Sequence, residues 1–202
     1  MHPNPSFRNT SDGHSWELVS QTSFGTLVQS TSGLPLISHV PFLLSACQSY
    51  IELHLVRSNP MARVKVGEAV PTTLIVNGSD GYISPDWYRI DDQVPTWNYV
   101  AVHLTGQLMR LEDDALEPLL ALLSDHFESQ LHPKPIWTME KMTDDVKKKM
   151  MRQILPFKFE TSELHSTWKL GQNKPEQARL DAADSLADHV PALAKLMKDL
   201  PQ

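Results

Sequence analysis

The sequence predicts an α+β protein that is mainly antiparallel β, built as a barrel with peripheral helices and a helical C-terminal region. Short apolar and β-branched segments, separated by turn residues, crowd the first 110 residues, a pattern typical of antiparallel barrels. After residue 111 the apolar residues follow helical spacing instead. With 202 residues, of which 41% are hydrophobic and 21% charged, the chain is expected to fold as one globular domain.

The predicted barrel core covers residues 23–110 and 156–170 of this single domain, 1–202. Alternating or β-branched apolar runs predict strands at 24–29, 36–39, 50–56, 70–76 and 82–84, and the first two are expected to form a hairpin. Residues 77–81, Asn-Gly-Ser-Asp-Gly, supply turn residues, so we expect the chain to reverse between the last two strands. Asn59 and Pro60 predict the N-cap and first residue of a short helical turn.

Residues 94–103 predict the central strand of the barrel. Val94-Pro95 favours an extended entry, because the proline ring disfavours helical geometry at the preceding residue. Both faces of the strand are largely apolar, which predicts a strand covered on both sides. Alternation places these residues on two faces: Trp97, Tyr99, Ala101 and His103 on one, and Asn98, Val100 and Val102 on the other.

Helical segments are expected at 112–131, 140–155 and 174–200. Asp114 and Glu117 have the spacing of a capping box, and Thr143 is expected to cap the second segment. Pro156 should end that segment before the chain returns to the barrel, and Pro191 should break the last one.

Charge and cysteine content argue against several classes of protein. A net charge of -6 leaves no bulk attraction to nucleic acid or anionic lipid. The one cysteine, Cys47, cannot form an intramolecular disulfide, and residues 1–16 lack the apolar segment of a signal peptide. No apolar run approaches the roughly 20 residues that span a bilayer. We therefore expect a cytoplasmic protein with no membrane partner.

Familiar catalytic motifs are missing from the sequence. It contains no His-Glu-x-x-His, no cysteine pair, no Gly-x-Ser-x-Gly, and no Gly-rich or Walker loop that would cradle a nucleotide. His39, His54 and His103 could meet around a metal only through the fold, and we expect no metal. The sequence identifies no catalytic residue.

Six ordered motifs resemble those of one known family. They read Phe-Gly-Thr-Leu-Val (24–28), Ser-His-Val-Pro-Phe-Leu-Leu (38–44), His-Leu-Val-Arg-Ser-Asn-Pro (54–60), Tyr-Ile-Ser-Pro-Asp-Trp-Tyr (82–88), Val-Pro-Thr-Trp-Asn-Tyr-Val-Ala-Val-His (94–103) and Trp-Lys-Leu-Gly-Gln-Asn (168–173). Together they are similar to the PaiB-like family of FMN-binding negative transcriptional regulators. That resemblance implies the FMN-binding split barrel as the fold.

The resemblance implies FMN as the cofactor, a ligand that needs an apolar wall, amide and hydroxyl groups, and a cationic anchor for its phosphate. Arg57 is the implied phosphate anchor, and its structural alternative is a rim arginine paired with a surface carboxylate. Lys169 and Gln172 form a second candidate cluster for the phosphate or the ring edge. The other implied cofactor contacts, each of which could instead serve packing, are Thr26, Ser38, His39, Tyr82, Trp97 and Asn98.

Three functions stay open from the sequence. The resemblance implies a redox-linked or flavin-sensing negative regulator of transcription without a recognisable DNA-binding motif. An FMN-dependent oxidoreductase of the pyridoxamine-phosphate-oxidase type and a haem-binding split-barrel protein are the alternatives. The resemblance also implies a homodimer. Direct DNA binding is not expected, because residues 147–149 form the one basic run and two aspartates precede it.

Overall fold

The computed structural model describes residues 2–201, which form six strands and five α-helices. The strands are β1 (Phe24–Gln29), β2 (Leu36–Leu44), β3 (Tyr50–Val56), β4 (Ala69–Ile83), β5 (Thr96–Arg110) and β6 (Ile154–Lys169). The helices are α1 (Asp12–Thr22), α2 (Leu116–Ser129), α3 (Asp144–Met151), α4 (Glu176–Leu186) and α5 (Pro191–Lys198).

The six strands close into an antiparallel barrel in the order β1-β2-β3-β6-β5-β4. β1 and β2 form the predicted hairpin, with Phe24 opposite Pro41 at its open end. β3 pairs with β6 along its whole length, from Tyr50 opposite Glu160 to Val56 opposite Ile154. Each of these six strands therefore has a neighbouring strand on both sides. The predicted α+β, mainly antiparallel barrel is confirmed.

Within the described residues the chain divides into two compact units. The strand unit contains residues 23–75 and 104–163, and with them β1, β2, β3, α2 and α3. The helical unit contains residues 2–22, 76–103 and 164–201, and with them α1, α4 and α5. The strands β4, β5 and β6 each contribute residues to both units.

Large inward-facing side chains form the core of the strand unit. Each such side chain, fully buried, stabilises the fold by roughly 1.5–3 kcal/mol. Gly106 permits a close approach of β5 and β6, because a Cβ at this position would lie only 1.9 Å from the carbonyl oxygen of Glu160. The wholly buried core side chains include Leu27, Phe42, Ile51, Leu53, Phe157 and Phe159.

Residues of α4 and α5 form the core of the helical unit together with Ile83, Val100 and Trp168 of the strands. Buried Arg179 on α4 donates to the main-chain oxygens of Met197 and Lys198, which are carbonyls left unpaired at the end of α5. The core residues of the two helices are Ala178, Ala182, Ala183, Leu186, Leu193, Ala194 and Met197.

The turn predicted at 77–81 is wrong, because β4 runs through it without a break. A Cβ on Gly78 would lie 2.9 Å from Cβ of Val100, and one on Gly81 would lie 3.1 Å from Cδ2 of Leu193. The two glycines therefore make room for packed neighbours on a continuous strand, a role that sequence composition does not distinguish from a turn.

The central strand has the predicted two faces, but it is not covered on both sides. Asn98, Val100 and Val102 are buried. On the other face Trp97 is 56% exposed and Tyr99, Ala101 and His103 are partly buried. An alternating pattern of this kind is typical of a strand with one face toward the core.

The helical segments are shorter than predicted. α2 begins after Ala115, and no side chain caps it, so the capping box predicted from Asp114 and Glu117 is wrong. Thr143 is the N-cap residue of α3, as expected, although its side chain makes no capping hydrogen bond.

Two prolines mark the remaining boundaries. Pro156 does not end a helix; it lies buried inside β6, opposite His54 of β3. Pro191 does separate the last two helices, since it is the first residue of α5. Among residues 2–201, no helix is both long enough and apolar enough to cross a membrane.

Candidate functional site

A hydroxyl and an imidazole face each other on the β1–β2 hairpin. Thr26 lies directly opposite His39, and Oγ1 of Thr26 is 2.9 Å from Nδ1 of His39, a hydrogen bond whose direction depends on the histidine tautomer. His39 is exposed and Thr26 is partly buried. Both side chains can therefore be reached by a ligand on this face of the sheet.

Asn59 connects β2 to the turn that follows β3. Its Nδ2 donates to Oγ of Ser38 at 2.9 Å, and its Oδ1 accepts the backbone N–H of Met61 at 3.0 Å. The second bond is the N-cap that the sequence predicted for the short turn Pro60–Ala62. Because Oγ of Ser38 accepts from Asn59, its O–H group stays available to donate to an anion.

Nε of the Arg57 guanidinium group is hydrogen-bonded, and its terminal nitrogens are accessible. Its Nε donates to the carbonyl oxygen of Arg152 at 2.9 Å, while its NH2 group is 3.9 Å from Oδ2 of Asp113. Both members of this ion pair are about half exposed or more, so the pair contributes at most about 1 kcal/mol. The terminal N–H groups can exchange this partner for a phosphate. We call Thr26, Ser38, His39, Arg57 and Asn59 the β1–β3 cluster.

Apolar side chains lie on the same strands as the β1–β3 cluster. Phe24, Ile37 and Val56 are 52%, 59% and 52% exposed. By strand alternation Phe24 shares a face with Thr26, and Ile37 shares one with His39. This face of the hairpin offers apolar surface beside polar groups, the combination that a flat cofactor with a phosphate requires.

His54 carries an unsatisfied polar atom on β3. Its Nδ1 is buried and has no hydrogen-bond partner among residues 2–201, and burial lowers the pKa of His54. A buried polar atom without a partner marks a place where a water, ligand or partner chain completes the structure.

The helical unit holds a second group of predicted contacts, which we call the Trp97 cluster: Tyr82, Thr96, Trp97 and Lys169. The rings of Tyr82 and Trp97 meet edge to face, with centroids 6.3 Å apart, and both side chains are about half exposed. Nζ of Lys169 donates to Oγ1 of Thr96 at 2.5 Å. Burial lowers the pKa of Lys169, and repulsion from Lys174 lowers it further.

Asn98 and Gln172 serve the fold of the helical unit. Asn98 is 1% exposed, its Nδ2 donates to Sδ of Met197 at 3.4 Å, and its Oδ1 is buried without a partner among the described residues. Gln172 accepts the N–H of Leu170 and donates to the carbonyl of Trp168, so its amide closes the turn after β6.

The nine predicted site residues thus fall into two groups. Four lie in the strand unit, and five lie in the helical unit. Sequence reasoning treated Asn59 only as a helix cap and overlooked Thr96. The signal for both was available, because Asn59 lies in the motif at 54–60 and Thr96 lies in the motif at 94–103.

Cys47 has an altered acidity that its sequence context did not indicate. Its Sγ is 2.9 Å from Oγ of Ser49 and 3.4 Å from Oγ of Ser45, and these hydrogen bonds lower its pKa to about 7. Within the part of the chain that the structure describes, no three His, Cys, Asp or Glu side chains are arranged to hold a metal ion.

Fold and site together define a class of protein. A closed six-stranded barrel with hydroxyl, imidazole and guanidinium groups beside exposed apolar surface is typical of a protein that binds an aromatic cofactor carrying a phosphate.

Solved structures of similar shape establish the split-barrel fold. An FAD and haem binding protein from Mycobacterium smegmatis matches with a TM-score of 0.58 at 17% identity, covering 81% of this chain and 73% of that one. The flavocytochrome Anf3 from Azotobacter vinelandii also has a TM-score of 0.58, at 12% identity, covering 83% of this chain and 72% of that one.

Sequence comparison identifies the family. A family model described as "Putative FMN-binding domain" matches residues 1–163. Protease synthase and sporulation protein PAI 2 of Bacillus subtilis is 30% identical over 197 residues, 96% of this chain and 93% of the relative. The chain belongs to this FMN-binding family of PaiB-like proteins, as its motifs predicted, and FMN is the family's cofactor. Yeast protein YKL070W is 34% identical over 103 residues, 46% of this chain and 60% of its own length.

Proposed function

We propose that the chain binds FMN with its phosphate at the β1–β3 cluster and acts as a redox-linked or flavin-sensing regulator. The observation that carries the proposal is the presence of two anion-binding groups in one unit. These are the Thr26–His39 pair and the half-exposed Arg57.

Arg57 and the Thr26–His39 pair have distinct parts in holding the phosphate. Arg57 balances its charge through terminal N–H groups, while the bond to the Arg152 carbonyl keeps the guanidinium in place. The Thr26–His39 pair supplies one further donor in either tautomer. Ser38, which alternation places on the other face of β2, is held by Asn59. Bound FMN supplies reversible electron transfer, and the apolar side chains beside the cluster shield it from water.

The Trp97 cluster supplies groups suited to a flavin ring. Trp97 and Tyr82 offer exposed aromatic surface, and Lys169 offers a cationic donor. Within its own unit the Trp97 cluster is the alternative place for the flavin. If the flavin lies there, a Trp97→Ala variant should weaken FMN and riboflavin to the same degree, whereas unchanged affinities would contradict this alternative.

An indirect regulatory role fits the charge of the chain. The name of the Bacillus subtilis relative refers to protease synthase and sporulation, and we carry over only the idea of regulation. Direct DNA binding needs several unpaired basic residues on one face. Lys147 of the one basic run is already paired with Glu117 at 2.7 Å, and the net charge is -6.

Absorption spectroscopy and FMN titration of the purified protein test the proposal. Flavin bands with equimolar FMN are expected. A haem Soret band without flavin would instead favour the haem-binding alternative, and a spectrum with neither would refute cofactor binding. In gel shifts we expect duplex DNA affinity no better than the roughly 10⁻⁴–10⁻⁶ M of non-specific binding at physiological salt. Nanomolar, sequence-specific retention would overturn the indirect role.

We further propose a homodimer that covers the exposed side chains of Phe24, Ile37 and Val56. Three large apolar side chains exposed on one sheet are a common mark of an interface. Light scattering should give twice the chain mass for the protein and the single-chain mass for Ile37→Glu. A monomeric protein with FMN bound would refute this arrangement.

A further inference from the structure

A cavity of about 440 Å³ opens in the helical unit beside α1 and α5. Its volume lies in the range of roughly 300–1,000 Å³ that small-molecule sites occupy. The side chains of Leu18, Val100, Trp168 and Leu196 give it an apolar floor. Gly78 also lines it, and its lack of a side chain brings the backbone of β4 against Val100 and Leu18.

The rim of this cavity carries more negative than positive charge. Glu17 and Asp199 contribute carboxylates, and Lys195 contributes one ammonium group. Oε1 of Glu17 accepts from Gln21 at 3.0 Å, which orients the carboxylate, and Oε2 lies 3.8 Å from Nδ1 of His14. Asp199 has no ion-pair partner among residues 2–201. An apolar floor with a net acidic rim matches a ligand that has an apolar body and a positive end.

The cavity is separate from the residues assigned to FMN. No member of the β1–β3 cluster or of the Trp97 cluster lines it. One wall comes from α5, which begins at Pro191, well after residue 163, where the match to the FMN-binding family model ends. A ligand in this cavity would therefore add to FMN rather than replace it.

We propose that this cavity binds a small primary amine with an apolar body. The alkyl or aryl part packs against Leu18, Val100 and Leu196, and the ammonium group lies at the rim between the carboxylates of Glu17 and Asp199. The amine keeps part of its hydration at the rim, so its charge is bound without full desolvation. A second ligand site of this kind gives a flavin protein a means to respond to amine supply.

Calorimetry with three probes of equal length tests the charge and the site together. The FMN-saturated protein is titrated with n-hexylamine, hexanol and hexanoate. The order hexylamine, then hexanol, then hexanoate is expected. Hexanoate that binds as tightly as hexylamine would overturn the charge assignment, and no binding of any probe at millimolar concentration would overturn the site.

Two double variants that remove negative charge test whether hexylamine binds in this cavity. The double variant Glu17→Gln with Asp199→Asn should weaken hexylamine about fivefold, the effect expected for two partly exposed charge contacts, and leave hexanol unchanged. Glu140→Gln with Asp188→Asn removes the same charge from exposed residues that do not line the cavity, and should change neither ligand. An equal loss of hexylamine affinity in both double variants would show that the effect comes from net charge alone, and it would overturn the proposed site.

A variant that fills the cavity tests the proposed site without changing any charge. Ala192 lines the cavity and is exposed on the first turn of α5, so Ala192→Phe can place a ring in the opening with little strain. It should weaken hexylamine and hexanol together while FMN affinity stays the same. Unchanged hexanol binding, or displacement of FMN by hexylamine in the parent protein, would overturn the proposal. Failure of FMN binding alone would instead concern the β1–β3 cluster.

Discussion

The strand unit and the helical unit use the residues of their own family motifs in different ways. In the strand unit, Thr26 bonds to His39 and Ser38 accepts from Asn59, and none of Thr26, Ser38 and His39 is fully buried. In the helical unit, Asn98 is buried and Gln172 is bonded to the backbone. A motif residue can therefore serve a ligand in one unit and the fold in the other.

Asn98→Asp should show the largest effect, on stability. The new carboxylate would be buried beside Met197, and an uncompensated buried charge costs about 3–5 kcal/mol. Burial raises the pKa of such a carboxyl in the folded state, so the loss should be small below about pH 4 and grow as the pH rises toward 7. Urea unfolding at several pH values measures this.

Asn173→Asp is the matched control, because Asn173 is exposed. Its free energy of unfolding should stay within about 0.5 kcal/mol of the parent protein. If the two variants were equally stable at neutral pH, Asn98 would not be a structural residue and the contrast between the units would fail.

Arg57→Ala should show the second largest effect, on cofactor binding. Loss of a charged hydrogen bond to the FMN phosphate is expected to weaken FMN by about 1.5–2 kcal/mol, the lower part of the usual range because Arg57 is half exposed. Riboflavin, which lacks the phosphate, should lose much less. Fluorescence titrations of both ligands measure the difference.

Arg89→Ala is the control for Arg57. Arg89 is an exposed arginine of the helical unit that also lies 3.9 Å from a carboxylate, that of Asp181. Its removal should leave both affinities unchanged. Equal losses of FMN and riboflavin in Arg57→Ala would move the phosphate anchor away from the β1–β3 cluster.

Sequence alone predicted the barrel and the β1–β2 hairpin because strand alternation is a local property. It placed Asn59 correctly as a cap for the same reason. The turn at 77–81 was predicted wrongly because the partners of Gly78 and Gly81 come from distant parts of the chain. Tertiary neighbours likewise decide that Asn98 is buried and Trp97 exposed, although both stand in one motif. Alternation separated the two side chains onto opposite faces without revealing which face is inside.

Thr26→Val tests the hydroxyl of the β1–β3 cluster at nearly constant shape. The variant removes the 2.9 Å contact with His39 and one donor or acceptor near the phosphate. FMN affinity should fall by about 1 kcal/mol, the net value of one hydrogen bond, and the free energy of unfolding should change less. Thr73→Val on β4, which is also partly buried, is the control. An unchanged FMN affinity in Thr26→Val would remove this pair from the site.

Lys169→Met should show the smallest effect, a change in how stability depends on pH. Burial and Lys174 lower the pKa of Lys169, so between that pKa and the unfolded value near 10.4 the unfolded chain binds more protons. The contribution of Lys169 to the free energy of unfolding therefore rises with pH in that window. The gain is lost as the pH falls through the pKa of Lys169 in the folded protein. The difference in unfolding free energy between the parent and Lys169→Met should shift in favour of the parent as the pH rises from 8 toward 10. Lys148→Met, at an exposed lysine, is the control variant. A flat difference in both variants would mean that Lys169 is fully solvated, and the Trp97 cluster would lose its one cationic donor with a lowered pKa.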